Sequence, residues 1–193
     1  MASKKSKKLI LLFVFFLGLS VFLSAKSNAY FSDKISSTSS FSAGNWETNP
    51  KIVINEIYPN PAAGGLEQIE LYNDSDNDID LTDWTIEDGN YSPRSLTGKI
   101  ILAKSFLVLT KGSGADFTFG LNNDGDILIL KKGIEIIDQV SWGIWVDGNL
   151  VDNAVNPAQG KSIGRYPDGL DTNFDLLDFN EMNISLGLIN IYP

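Results

Sequence analysis

Asp74, Asp76, Asp78 and Asp80 stand at every second position of one polar run. Ca²⁺ gathers about six to eight oxygens from a compact acidic turn, and this spacing imitates the opening of a D-x-D-x-D loop. The imitation stops where such a loop is strict. Ile79 takes the place of the turn glycine, and Thr85 that of the closing bidentate glutamate. The run therefore reads as a solvated hairpin turn, in which Asn and Asp side chains cap their own backbone. Asn122-Asn-Asp-Gly-Asp126 reads the same way, since it leads straight into an apolar run. Glu56 and Glu70 fall on neighbouring apolar runs, so a pair of glycosidase carboxylates is conceivable. A solvent face, or a partner for Arg165, is the plainer reading. The chain has only two arginines, and Arg165 sits between Ile163 and Tyr166. A guanidinium in such a run wants a carboxylate, whose geometry its fork matches at two points. Arg165 is thus expected to tie the last strand to Glu56 or Glu70.

Other chemistry is excluded by composition. The 193 residues contain no histidine and no cysteine. A Ser-His-Asp triad, a thiol nucleophile, a disulfide and a Cys- or His-ligated zinc site are all ruled out. Ser113 and Ser141 have no histidine base, and Gly112-Ser-Gly114 lacks the context of a phosphate loop. No catalytic residue, cofactor or metal is expected. Trp84 reads as core. Trp142, Ile144 and Trp145 lie beside Gly143 and Gly148; they read either as an exposed aromatic patch for a sugar or protein partner, or as a cover over one end of the fold.

The elements that must position these residues are short apolar runs broken by turn residues. Residues 51–58, 68–72, 84–86, 99–102, 106–110, 127–130, 134–142 and 162–166 are each strand-length and rich in β-branched and aromatic side chains. Asp88-Gly89, Asp124-Gly125 and Lys132-Gly133 offer positive-φ positions for hairpins. No helical period runs through three turns after residue 30. Seven or eight such strands imply an all-β sandwich over residues 51–193.

The first fifty residues differ. Lys4, Lys5, Lys7 and Lys8 precede an apolar stretch from Leu9 to Leu23, and Ser27-Asn-Ala29 offers small residues for cleavage. That is the pattern of a secretory signal peptide over 1–29, or of an uncleaved anchor if residues 9–25 are retained. The expected location is secreted or at the cell surface of a bacterium, by Sec export. Residues 30–50 are Ser/Thr-rich with spaced aromatics, the composition of a linker. Residues 1–29 hold five lysines and no acidic residue, so the remainder has 10 basic and 24 acidic residues and a net charge of −14. Such a surface repels nucleic acid and anionic membranes.

Two resemblances follow from particular residues. Ala29-Tyr-Phe-Ser-Asp33, with Phe41-Ser-Ala-Gly44 about ten residues on, resembles the mature start of camelysin-type and biofilm-matrix proteins. The match spans about twenty residues and bears on processing. Ile54-Asn-Glu-Ile57, Ile69-Glu-Leu-Tyr-Asn73 and Ile79-Asp-Leu-Thr-Asp-Trp84, followed by Gly125-Asp126, Ile137-Asp-Gln-Val140 and Ser162 to Gly169, resemble the lamin-tail domain of bacterial type. The closing segment Ser185-Leu-Gly-Leu-Ile-Asn190 lacks that family's Pro before Gly. The resemblance implies an immunoglobulin-like β-sandwich acting as a binding or structural module, without catalysis of its own. The expected partner is a protein or cell-surface component. Self-assembly is a second reading, with residues 30–46 adding a strand to a neighbour's sheet edge. A carboxylate- or metal-dependent hydrolase is the third.

Overall fold

A computed structural model describes residues 51–90, 93–112, 114–149 and 151–191. The leader and the Ser/Thr-rich segment lie outside the described residues. Eleven strands follow in order: β1 Ile52–Tyr58, β2 Gln68–Asn73, β3 Ile79–Asp80, β4 Trp84–Asp88, β5 Arg94–Ser95, β6 Ile100–Ile101, β7 Phe106–Thr110, β8 Gly125–Lys132, β9 Glu135–Gly143, β10 Ser162–Arg165 and β11 Phe179–Met182. One helical turn, Asp175–Asp178, precedes β11. Each run expected to form a strand does so. The expected count was lower because β3, β5 and β11 were not anticipated; the first two are only two residues long, too short to show a period.

Two antiparallel sheets form the sandwich. The five-stranded sheet has the order β11-β10-β1-β2-β7, and the four-stranded sheet β5-β4-β8-β9. A small β3-β6 ribbon lies beside them. The core draws on both. Ile52, Ile54, Ile57, Ile69, Leu71, Leu109, Ile163 and Phe179 come from the first; Trp84, Ile86, Leu128, Leu130, Val140 and Trp142 come from the second. Burial of this apolar area, at about 25 cal/mol per Å², is what holds a disulfide-free domain together.

The ambiguous faces of β1 resolve at a bulge. Ile54 pairs with Leu71, but the next pair is Glu56 with Glu70, so Asn55 is the extra residue. A bulge breaks the strict alternation of side chains. Ile52, Ile54 and Ile57 can then all join the core, while Glu56 does not. Because β1 lies between β10 and β2, every one of its residues is buried. Turn chemistry held at Gly125 and Gly133, which have positive φ. It did not hold at Gly89, which needs space instead: a Cβ there would come within 2.7 Å of the Ile127 side chain and 2.9 Å of the Trp145 ring.

Candidate functional site

Glu56 and Glu70 face each other across β1 and β2, and both are wholly buried. Register extends the row: Gly164 pairs with Glu56 on one side, and Val108 with Glu70 on the other. The C-terminal residues 183–191 cross this row. The Ser185 amide and hydroxyl donate to the two Glu56 oxygens at 3.0 and 2.9 Å. The Gly187 amide donates to Glu70, whose other oxygen accepts from Asn55 Nδ2 at 2.9 Å. Asn190 Nδ2 donates to the Arg165 carbonyl at 2.9 Å. Gly164 leaves room for it, since a Cβ there would lie 2.8 Å from that same nitrogen. The Asp168–Gly169 turn closes the cluster: Asn55 Nδ2 also donates to Asp168, and the Gly169 amide donates to Asn55 Oδ1. The missing Pro has not cost the final turn, for Leu188 N bonds Ser185 O at 2.8 Å and Gly187 has φ +81°. The two glutamates are side by side, but their oxygens are spent on two backbone amides and two side-chain donors. A glycosidase pair instead needs an open face for sugar and water.

Arg165 is the clasp that its isolation in the sequence implied, but with other partners. Its guanidinium meets Asp138 from β9 and Asp178 from the helical turn, each at 3.1 Å, rather than Glu56 or Glu70. Nε donates to Ile54 O at 2.8 Å and Nη1 to Leu170 O at 2.6 Å. The group stacks 4.6 Å from the Phe179 ring centroid. The reason is geometric. The glutamates leave the outer side of the sheet, whereas Asp138 reaches across the sandwich and also accepts from the Ile54 amide at 2.7 Å. Burial is the largest influence on Asp138 and pushes its carboxyl up to about 6, against the pull of Arg165. The sequence signal was present in Asp138, a lone acid in the apolar run Ile136-Ile-Asp-Gln-Val140.

The tryptophans correct a second expectation. Trp142 is completely buried, as is Trp84, so Trp142 belongs to the core and not to an exposed patch. Trp145 is half-buried over Gly89, which fits the alternative of a cover at the end of the sandwich. In the acidic run, each carboxylate has work of its own. Asp74 pairs with Lys51 and Lys104 at 3.0 Å, which hold its carboxyl below the usual range. Asp78 accepts from the Ala103 amide, and Asp80 accepts from the Thr82 amide and hydroxyl. Asp76 is 91% exposed and lies 3.6 Å from Lys104 Nζ. Asp126 likewise accepts from the Asn122 backbone and side chain.

The family model of the lamin tail domain matches residues 46–143, about half of the chain. The protein belongs to the lamin tail domain family. No curated protein and no solved structure matches it. The matched part of the lamin tail domain stops at the end of β9. The later residues nevertheless complete the five-stranded sheet through β10 and β11 and supply Arg165, Asp178 and the crossing segment.

Beside β9 the lamin tail domain has a polar trough of about 290 Å³, lined by Asp138, Ser141, Asp147, Asp152, Asn173 and Asp175 among others. β9 is an edge strand; two of its outward amides are met by carboxylates, and that of Gly143 by the Ala154 carbonyl at 3.0 Å. Gln139 N donates to Asp138 and Ser141 N to Asp175, both at 2.8 Å. Such inward-reaching charge blunts an edge against pairing with other chains. Burial pushes the Asp175 carboxyl up to about 7, despite the Ser141 amide and Arg165.

Proposed function

We propose that this lamin tail domain protein works outside the cell as a non-enzymatic binding or structural module, engaging a protein or cell-surface partner. The observation that carries this reading is the fate of the carboxylates. Four of the six buried acids among the described residues, Glu56, Glu70, Asp138 and Asp178, accept hydrogen bonds that fasten one element to another. The leader pattern supports export. The acidic balance of the remaining chain supports a partner that is neutral or basic.

The test takes purified residues 30–193. The reading expects saturable retention on envelope preparations, and no turnover on glycoside, peptide or phosphodiester panels. Turnover that disappears in Glu56→Gln would overturn it and restore the hydrolase. Light scattering across a concentration series addresses self-assembly: polymers that vanish on deleting residues 30–46 would identify a matrix subunit.

A further inference from the structure

Residues 183–191 are held mainly by polar contacts. Leu188, Ile189 and Ile191 are mostly exposed, so little apolar burial seats them. What seats them is a set of polar contacts: Ser185 on Glu56, Gly187 on Glu70, and Asn190 on Asp168 and the Arg165 carbonyl. Segments with few buried apolar contacts open locally, without global unfolding. The acids beneath are crowded with their own kind. Glu70 pairs across the sheet with Glu56 of β1, and Asn55 Nδ2 bridges it to Asp168 in the turn after β10, at 2.9 and 2.8 Å. On β7 its partner is Val108, which carries no charge, and the crossing residues Ser185–Asn190 are also uncharged. Arg165, the nearest buried cation in the same sheet, is committed to Asp138 and Asp178.

We infer that residues 183–191 form a proton-sensitive strap, seated on the outer side of the five-stranded sheet while Glu70 holds a proton and loosened once Glu70 gives that proton up. Covering Glu70 takes it out of water, and a covered carboxyl facing other acids prefers its neutral form. Burial accordingly pushes it up to about 7; the Asn55 and Gly187 hydrogen bonds restrain the rise, and Glu56 and Asp168 add to it. An opened strap returns Glu70 to water, where its ordinary value is 4.5. The proton therefore binds the closed form more tightly, and opening is favoured as pH climbs through neutrality. The strap governs access to the Asn55–Glu56–Glu70–Asp168 cluster, independently of which partner the module binds.

Hydrogen exchange, expressed as protection against intrinsic rates, tests this on residues 30–193 between pH 6 and 8.5. Protection at Ser185, Gly187 and Asn190 should fall about tenfold with rising pH, as linkage across that interval requires. Leu71 and Ile69 in β2 should keep theirs. In Glu70→Gln the strap should lose its pH dependence. Constant strap protection in the unaltered protein overturns the inference, as does an unchanged pH dependence in a folded Glu70→Gln. If that variant does not fold, the Glu70 carboxyl carbon of the unaltered protein is titrated by NMR. Loosening must track that titration, and a mismatch of more than about one pH unit also overturns the inference. A partner-binding failure would leave these readouts untouched, so the two proposals fail separately.

Discussion

Replacing Arg165 by Lys keeps the charge and removes the fork, which isolates what the clasp contributes. In the native protein one guanidinium bridges Asp138 and Asp178, caps Ile54 O and Leu170 O, and stacks on Phe179. All of this occurs with the side chain 1% exposed. A lysine can satisfy one of the two carboxylates, so the other stays buried without a cation. Breaking a buried ion pair from one side costs about 3–5 kcal/mol. The Ile54 carbonyl also loses its side-chain donor, which adds about 1 kcal/mol. For a domain of this size, 1 kcal/mol moves the melting temperature by roughly 3–5 °C. Arg165→Lys should therefore melt about 12–30 °C lower, followed by circular dichroism at pH 7. A double-mutant cycle localises the effect: Arg165→Met with Asp138→Asn should be less damaging than the sum of the singles by about 1 kcal/mol or more. A melting point for Arg165→Lys within about 3 °C of the unaltered protein, or strict additivity in the cycle, would refute the clasp.

Gly89→Ala should destabilise by about 1–3 kcal/mol in urea titrations, because its Cβ would press on Ile127 and the Trp145 ring. Trp142→Ala should cost about 3–5 kcal/mol, and Trp142 should resist acrylamide quenching where Trp145 does not, as burial in the core requires. Millimolar Ca²⁺ should leave the melting temperature unchanged, since Asp74, Asp78 and Asp80 already serve Lys51, Lys104 and local amides. Overall stability should be greater at pH 5.5 than at pH 8. Burial raises Asp138 to about 6 and Asp175 to about 7 from an ordinary 3.8, so the folded state holds extra protons at acidic pH. Stability from these groups is present at low pH and is lost as pH rises through 6 to 7. Denaturant midpoints at the two pH values decide it.

What the sequence makes legible here is what repeats at short range. β1, β2, β7, β8 and β9 each announce themselves through three or more apolar residues between turns, and the lamin-tail resemblance orders them. What stays hidden depends on one inserted residue and on distant partners. The bulge at Asn55 decides that Ile57 enters the core while Glu56 leaves it, and no local pattern marks the insertion. The need of Arg165 for a carboxylate is readable from its strand. Which carboxylate answers is not, because Asp138 lies 27 residues before it, on the opposite sheet. Glu56 would share the inner side with Ile52 and Ile54 only under a strict two-residue alternation. Once the bulge sends Glu56 outward, it needs donors there, and the chain supplies them 129 residues later through Ser185. One unpaired residue in β1 thus connects the two findings the sequence could not give. It frees the inner side for the Arg165–Asp138 clasp, and it creates the outer acidic row that the C-terminal strap must cover.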